Sequence, residues 1–371
     1  VVEGAGSPAE INLKTNDIVN MGLAKMIDAP VLLAGDIDRG GVFAQIVGTI
    51  VLLEEEERQR IKGTIINKFR GDKEILRPGL DMLVERTHVP VCGVVPYFYL
   101  DIDDEDSLSE RFAGKQGNGP IDIAVIRFPR ISNFTDLAAF ECREEVSLRY
   151  ISQSADFGEP DLVILPGTKS TIADLLWMRQ NGLEGKILRH ASTGGLVFGI
   201  CGGYQMLGVE VRDPDGVEAG TGKCVRGMEL LPARTVFEPE KHRTQITGRF
   251  GMVQGTFSEL SDMPFTGYEI HMGRTEYIGE QTELLHLDNG TADGLQCGNV
   301  YGCYIHGIFD QAEVVTAILK TILRRKGLDA DQVKSIDRKQ YKEEQYNKLA
   351  DIIRENLDMK MVYEIIERGG K

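Results

Sequence analysis

The sequence predicts an α/β protein with two domains and a helical C-terminal region. In the first hundred residues, apolar runs of strand length alternate with segments of helical period, a pattern typical of a parallel sheet covered by helices. An acidic and then glycine-rich stretch over residues 101–119 has little periodicity and predicts a linker. The alternation starts again at Ile121, so we expect domains at 1–115 and 120–312 and a helical region at 313–371.

Four strands and three helices are predicted for the first domain. Each strand is a short run of mainly apolar residues, and each helix repeats apolar residues every three or four positions. The predicted strands are 1–2, 30–36, 61–67 and 91–95, and the predicted helices are 18–27, 42–53 and 76–86.

Three apolar runs and two helical stretches are predicted after the linker. The runs contain few polar residues, as expected for the buried centre of a second sheet, and they cover residues 121–126, 162–167 and 196–200. Residues 313–326 place apolar side chains on one helical face. Residues 337–368 repeat this pattern over one or two helices that we expect to lie at the surface.

The composition indicates a globular protein that acts on small molecules. Hydrophobic residues make up 42% and charged residues 27% of the 371 residues. A formal net charge of −15 argues against a nucleic-acid partner, because phosphate binding needs clustered Lys and Arg. No apolar run approaches the roughly 20 residues that cross a bilayer, so we expect no membrane partner and a cytoplasmic location. Six cysteines without a C-x-x-C pair indicate mostly reduced thiols, and the oligomeric state stays open.

Cys201 lies between glycines at the end of a predicted strand, in the sequence Gly-Ile-Cys-Gly-Gly. A helix-forming run follows, so the pattern predicts a sharp strand-to-helix turn that presents the thiol at the edge of the sheet. The N-terminus of the following helix favours the reactive thiolate. We therefore interpret Cys201 as a nucleophile, and the alternative is a structural cysteine in a tight turn.

His306 is the preferred partner for this thiolate. It follows an apolar strand and precedes a glycine. A nucleophilic thiolate needs a proton carrier for its leaving group, and imidazole is the most common one. His271, in the sequence Tyr-Glu-Ile-His-Met-Gly-Arg, is a weaker candidate for the same role.

The segments 199–205 and 302–307 together resemble the class I glutamine amidotransferases. The resemblance implies a flavodoxin-like domain in which a cysteine thiolate attacks the side-chain amide of glutamine and releases ammonia. It also implies that backbone N–H groups of Gly202 and of Gly167 or its neighbour bind the oxyanion. Members of this family usually carry a Glu two residues after the histidine, but Ile308 stands there in this chain. The resemblance is therefore to the subclass with a Cys–His dyad, and what orients the histidine stays open.

Two acidic residues stand next to glycines in the first predicted domain. Glu3 begins the sequence Glu-Gly-Ala-Gly, and Asp36 ends a predicted strand shortly before a glycine pair. An acid in this setting suits a metal or phosphate site, although it is also common in ordinary turns. These segments, with Asn67 in Ile-Ile-Asn-Lys, resemble the P-loop-type synthetase domain related to dethiobiotin synthetase. The resemblance implies a nucleotide site with Mg2+ at Glu3 and adenine at Asn67.

The whole chain, through segments 132–136, 166–171 and 268–275, resembles the cobyric acid synthase family. The resemblance implies ATP-dependent amidation of the b, d, e and g carboxylates of adenosylcobyrinic acid a,c-diamide, with glutamine as the ammonia donor, in cobalamin biosynthesis. No Gly-x-x-x-x-Gly-Lys-Ser/Thr phosphate loop occurs in the 371 residues. We therefore expect an N-terminally truncated sequence that keeps a foldable glutaminase domain but does not bind ATP normally.

Four further residues are candidates for contact with the acidic corrin substrate. Asn133 and Asp136 follow the first strand of the second domain, where a cleft can form. Arg274, close to His271, can pair with carboxylates in bidentate fashion. Each of the four can equally serve only to stabilise the fold.

Two other functions remain open at this point. The first keeps the glutaminase but changes the acceptor to another carboxylate, such as cobyrinic acid or a cell-wall precursor. The second is a non-catalytic regulator that keeps the turn around Cys201 as a relic.

Overall fold

The computed structural model describes residues 1–14, 17–100, 102, 119–219, 221–280 and 282–369. The chain divides into two compact units, and the first of them is discontinuous in sequence. The first unit comprises Val1–Ile102 and Lys342–Lys371, and the second comprises Asp103–Tyr341. Apart from residues 102 and 119, the predicted linker lies outside the described residues.

Helices and strands alternate in the first unit, and strands dominate the C-terminal half of the second. Within the described ranges the strands are β1 (Val31–Asp36), β2 (Ile61–Phe69), β3 (Val91–Pro96), β4 (Ile121–Ile126), β5 (Val146–Ile151), β6 (Leu162–Leu165), β7 (Leu196–Ile200), β8 (Glu210–Asp213), β9 (Lys223–Arg226), β10 (Ala233–Phe250), β11 (Pro264–Tyr277), β12 (Thr282–Leu287), β13 (Ala292–Cys297) and β14 (Val300–Cys303). The α-helices in the same ranges are α1 (Met21–Met26), α2 (Val42–Leu52), α3 (Glu55–Arg58), α4 (Lys73–Thr87), α5 (Ala138–Glu141), α6 (Thr171–Gln180), α7 (Leu183–Ser192), α8 (Gly202–Leu207), α9 (Ala312–Arg325), α10 (Arg338–Asn356) and α11 (Met359–Arg368).

The first unit is built on a parallel sheet with the strand order β1-β2-β3. Its core includes Ile66 of β2 and Leu83 of α4, which are almost fully buried. The predicted α/β class and the strands at 30–36, 61–67 and 91–95 are confirmed. The predicted strand at Val1–Val2 is wrong: both residues are exposed and form no strand, because no described strand lies beside them to complete a hydrogen-bond ladder.

The C-terminal helices return to the first unit instead of forming a region of their own with α9. The N–H of Asp358 donates to the carbonyl of Cys92 in β3 at 2.7 Å, and Leu357 pairs with Gly93. A Cβ on Gly93 would lie 2.2 Å from the carbonyl oxygen of Asn356, so only glycine permits this approach. Helix α9 stays with the second unit, where Val314, Val315, Ile318 and Leu319 are buried.

The second unit contains a sheet whose described strands follow the order β5-β4-β6-β7-β14-β13-β12-β10-β8-β9, with β11 paired to β10. The strands from β5 to β14 in this order run parallel, and β13, β12 and β10 continue the sheet in antiparallel fashion. Every residue of β6 and β7 is buried, which explains their unbroken apolar sequences. Because parallel strands end at the same edge, the loops after β4, β6, β7 and β14 meet there.

Candidate active site

Cys201 begins the sharp turn between β7 and α8. Its φ of 51° and ψ of −109° lie outside the usual regions for a residue with a side chain. Its N–H donates to the carbonyl of Cys303 at 2.8 Å, which joins the turn to the end of β14. A Cβ on Gly203 would lie 2.0 Å from the carbonyl oxygen of Leu165. The glycine is therefore required by close backbone packing, and the strained cysteine is held by the structure around it.

His306 lies just beyond the end of β14 and is completely buried. Its Nδ1 is 2.7 Å from Oδ2 of Asp136, and the other carboxylate oxygen of Asp136 accepts the N–H of Gly307 at 2.9 Å. Asp136 is only 2% exposed. The group that orients the imidazole, which the sequence left open, is therefore a carboxylate from the loop after β4 and not a residue at the position of Ile308.

The protonation of His306 follows from these contacts. Burial lowers the pKa of His306, but hydrogen bonds with Asp136 and Cys201 outweigh it and raise the pKa from 6.5 to about 10. Because the carboxylate of Asp136 accepts a hydrogen bond from Nδ1, Nε2 is the ring atom that exchanges a proton with the reacting groups. The raised pKa favours an imidazole that takes up a proton at Nε2 and holds it until a leaving group needs it.

Asn133 lies on the opposite edge of the same imidazole. Its Nδ2 is 2.9 Å from Nε2 of His306. The sequence singled out Asn133 and Asp136 as substrate contacts, but the structure brings both side chains to His306. The sequence signal for these two contacts was the polar segment after β4, and nothing in the sequence linked that segment to a histidine 173 positions after Asn133 and 170 after Asp136.

One predicted oxyanion glycine, Gly167, lies within the loop over residues 166–171, which we call the oxyanion loop, and the other, Gly202, packs against this loop. A Cβ on Gly202 would lie 3.2 Å from the N–H nitrogen of Thr168, and a Cβ on Gly167 would lie 3.0 Å from Cε1 of His306. The N–H of Gly202 belongs to the first turn of α8, where amides have no intrahelical partner. This loop therefore places backbone amides next to both predicted catalytic residues.

Two carboxylates hold the oxyanion loop, and sequence reasoning missed both. Asp174, fully buried, accepts the hydroxyl of Thr168 at 2.5 Å. Glu218 accepts the N–H groups of Thr171 and Ile172 at 2.7 Å each. Burial raises the pKa of Glu218, while these two hydrogen bonds oppose the rise. The bidentate contact fixes the first turn of α6, and no sequence motif indicated it.

Strand β11 runs past the same edge. Tyr268 exchanges both backbone hydrogen bonds with His306, at 3.0 and 2.9 Å, and its ring stacks on the imidazole with centroids 5.3 Å apart. The carbonyl of Ile270 lies 3.7 Å from Sγ of Cys201. The carbonyl of Met272 accepts from the side chain of Gln205 in α8 at 3.2 Å. Alternate residues of β11 therefore contact the histidine, the cysteine and α8 in turn.

His271 and Arg274, also on β11, are engaged by other residues. His271 contacts the carbonyl of Gly273 through Nδ1 at 3.1 Å, and its ring stacks on Tyr304 with centroids 3.8 Å apart. Arg274 donates to Glu238 at 3.2 Å and to Glu276 at 3.0 Å. The charge of Arg274 is thus already balanced by two carboxylates, which does not support its predicted contact with substrate carboxylates.

In the first unit, Asp36 and Asn67 lie at the carboxyl ends of neighbouring strands. Asp36 accepts from Nζ of Lys68 at 2.9 Å, and this hydrogen bond lowers the pKa of Asp36. Asn67 accepts the N–H of Lys68 at 2.9 Å. Glu3 is exposed, and among the described residues no three His, Cys, Asp or Glu side chains form a group that could hold a metal ion. The Mg2+ site at Glu3 stays a prediction.

The chain is similar to known proteins over its whole length. Residues 122–314 match the family described as the CobB/CobQ-like glutamine amidotransferase domain, and residues 1–100 match an AAA domain. Proteins named cobyric acid synthase are 57% identical in Ruminiclostridium cellulolyticum, 54% in Lachnoclostridium phytofermentans and 51% in Clostridium acetobutylicum. These matches cover 100% of this chain and 73%, 75% and 74% of the relatives.

Among solved structures, PurLQS from Thermotoga maritima matches with a TM-score of 0.42 and 17% identity, over 56% of this chain and 99% of that chain. This likeness is too low to support an argument. Within the part of the chain that the structure describes, no helix is both long and apolar enough to cross a membrane. The identity to the three curated relatives over the whole of this chain carries the assignment, and the chain belongs to the cobyric acid synthase family.

Proposed function

We propose that the second unit releases ammonia from glutamine, with Cys201 as the nucleophile and His306 as the proton carrier. The observation that carries this proposal is the buried imidazole of His306, which is oriented by Asp136 and follows the same strand end, at Cys303, to which the strained turn of Cys201 is hydrogen-bonded. A family match alone does not assign roles to residues, so each role needs its own test.

The chemistry that this geometry supports has two proton transfers. The thiol proton of Cys201 passes to Nε2 of His306, and the thiolate adds to the side-chain carbonyl carbon of glutamine. The backbone amides around Gly202 and the oxyanion loop stabilise the negative oxygen. The proton on Nε2 then passes to the leaving nitrogen, the C–N bond breaks, and ammonia and a glutamyl thioester result. A water molecule hydrolyses the thioester by the same proton route in reverse.

Glutamine hydrolysis by the full chain tests these roles. Cys201→Ser and His306→Ala are each expected to abolish ammonia release, whereas Cys297→Ser, at an exposed cysteine, keeps it. A diazo-ketone analogue of glutamine should label Cys201 alone among the six cysteines. Ammonia release by Cys201→Ser, or labelling at another cysteine, would show that the assignment is wrong.

We further propose that the ammonia amidates the b, d, e and g carboxylates of adenosylcobyrinic acid a,c-diamide, and that ATP activates these carboxylates. The support is the 51–57% identity to proteins named cobyric acid synthase and the match of residues 1–100 to an AAA domain. Asp36 and Asn67 are the proposed nucleotide contacts, since they lie at the carboxyl ends of β1 and β2. The high identity does not favour a regulator or another acceptor.

Transfer of 15N from amide-labelled glutamine tests this acceptor. Mass spectrometry should find labelled nitrogen in the corrinoid only when ATP is present. Ammonia release without any label in the corrinoid would leave the glutaminase proposal intact and contradict the proposed acceptor step for this chain.

A further inference from the structure

Asn133 stands at the start of the short 3₁₀ helix Phe134–Leu137, in a left-handed backbone conformation with φ 52° and ψ 38°. An asparagine at this position ordinarily uses its side chain to cap the helix. Here the side chain makes no capping hydrogen bond and lies on Nε2 of His306 instead. The side chain is thus available for a role other than capping.

One turn of this segment supplies both polar partners of the imidazole. Asn133 and Asp136 are three residues apart, and residues i and i+3 lie on the same side of a 3₁₀ helix. The N–H of Asp136 donates to the carbonyl of Asn133 at 3.0 Å, and the N–H of Ser132 donates to the carbonyl of Gly167 at 2.9 Å. The position of Asn133 is therefore fixed relative to both Asp136 and the oxyanion loop.

The remaining surroundings of His306 leave its Nε2 to two groups. The ring of Tyr268 stacks on the imidazole, and Gly167 packs against Cε1. Asp136 takes Nδ1. The carboxamide of Asn133 lies 2.9 Å from Nε2, and in the proposed function Nε2 also exchanges a proton with Cys201. These two groups share one nitrogen, which carries either a lone pair or a single hydrogen.

We propose that Asn133 is a positioning residue whose carboxamide follows the proton on Nε2 of His306. When Nε2 is unprotonated, the amide N–H of Asn133 donates to it; when Nε2 is protonated, rotation of the carboxamide presents Oδ1 as the acceptor. The imidazole then keeps its orientation in both protonation states of the reaction. This inference rests on the proposed glutaminase function and adds to it the residue that supports both states of the base.

Substitutions at Asn133 distinguish the effect of the carboxamide from the effect of the left-handed backbone conformation. Asn133→Gly removes the side chain but accepts the positive φ without strain, and Asn133→Asp keeps an acceptor and tolerates the same backbone. Asp262→Gly is the matched control, because Asp262 also has a positive φ of 61° and is highly exposed. The two readouts are the pH dependence of Cys201 alkylation by iodoacetamide, followed on the Cys201 peptide, and the kinetics of glutamine hydrolysis.

For Asn133→Gly we expect kcat to fall about 10- to 100-fold with KM unchanged, as for the loss of a hydrogen bond to a charged group. The alkylation profile should move to higher pH by about one unit, because protonated His306 loses an acceptor and supports the thiolate less. Asn133→Asp should restore the alkylation profile but keep a low kcat, since a carboxylate can accept a hydrogen bond but cannot donate one. Asp262→Gly should match the wild type in both readouts.

If Asn133→Gly had the kcat and the alkylation profile of the wild type, the inference would be overturned. Asn133 would then serve only to form the turn. Full activity of Asn133→Asp would also contradict it, because only the acceptor half would then be needed. If the wild-type chain hydrolysed no glutamine, the proposed function would fail, while the alkylation profiles would still decide whether Asn133 acts on His306.

Discussion

The carboxylate of Asp136 lies 2.7 Å from Nδ1 of His306, and both side chains are buried. The two residues follow different parallel strands, β4 and β14, whose carboxyl ends meet at one edge of the sheet. A second bond from Asp136 to the N–H of Gly307 fixes the carboxylate itself. The pair therefore has the geometry by which a carboxylate sets the tautomer and orientation of a catalytic imidazole.

Asp136→Asn tests this relationship. The amide has the same size but can turn its NH2 group toward Nδ1, which disfavours the tautomer with a proton on Nδ1. We expect kcat for glutamine hydrolysis to fall by about 10²- to 10⁴-fold with little change in KM. Steady-state kinetics of ammonia release measure both constants.

Asp262→Asn is the control for this substitution, since its side chain is 86% exposed and pairs only loosely with Arg249, at 3.5 Å. It should leave both kinetic constants unchanged. An Asp136→Asn variant with a kcat within threefold of the wild type would show that the carboxylate is structural and that Cys201 and His306 work as a dyad.

The central part of the fold could be predicted from the sequence because buried parallel strands have a simple pattern. All residues of β6 and β7 are buried, so their sequences are continuous apolar runs. Strand β11 mixes buried and half-exposed positions and carries Glu, His and Arg, so it resembles a polar segment when read alone. Its partner β10 holds it in the sheet through a long antiparallel pairing, which a local pattern does not show.

The site was predictable only where local sequence determines local geometry. Gly199 and Gly203, on either side of Cys201, are required by backbone contacts below 3 Å, so the turn is visible in the sequence. The partnership of Asp136 with His306 depends on the order of β4 and β14 in the sheet and not on any spacing. The same holds for Glu218, whose carboxylate reaches α6 from the loop after β8.

Glu218 provides a second test of the site. Its carboxylate accepts two backbone N–H groups, from Thr171 and Ile172, and so fixes the end of the oxyanion loop. Glu218→Ala leaves both amides without this acceptor, and we expect kcat to fall roughly 10-fold, in line with the loss of a charge-assisted hydrogen bond. Glu218→Gln keeps one acceptor oxygen and should fall between Glu218→Ala and the wild type.

The measurement for Glu218 is the rate of Cys201 labelling by a glutamine analogue together with kcat. Glu184→Ala is the control, because Glu184 is another partly buried carboxylate that accepts two hydrogen bonds, both from Arg179, without contacting the oxyanion loop. Equal labelling rates in Glu218→Ala and Glu184→Ala would contradict a role of Glu218 in positioning the loop.

The buried carboxyl group of Asp293 is expected to make the free energy of unfolding depend on pH. Burial raises its pKa from 3.8 to about 7, although the N–H of Tyr304 donates to it at 2.8 Å and opposes the rise. The folded state therefore binds the proton more tightly than the unfolded state. The resulting contribution to stability is fully present below pH 3.8 and is lost as the pH rises through about 7.

Urea unfolding between pH 5 and pH 8 measures this effect. Asp293→Asn cannot ionise, so its free energy of unfolding should fall less over this range than that of the wild type. Asp288→Asn, at an exposed position, serves as the control and should keep the wild-type slope. Parallel pH profiles for the wild type and Asp293→Asn would contradict the raised pKa of Asp293.

Replacing glycine by alanine is expected to change the free energy of unfolding in opposite directions at two positions of the second unit. A Cβ on Gly203 would lie 2.0 Å from the carbonyl oxygen of Leu165, so Gly203→Ala must displace backbone beneath Cys201. We expect it to lower the free energy of unfolding by at least about 2 kcal/mol, as overpacked core substitutions do.

Gly185 lies inside α7, and a Cβ there meets no atom within 4 Å. Gly185→Ala should therefore raise the free energy of unfolding by roughly 0.5–1 kcal/mol, because alanine favours a helix over glycine. Urea titrations of the two variants check both signs, and a Gly203→Ala variant as stable as Gly185→Ala would show that the turn around Cys201 does not need its close backbone contact.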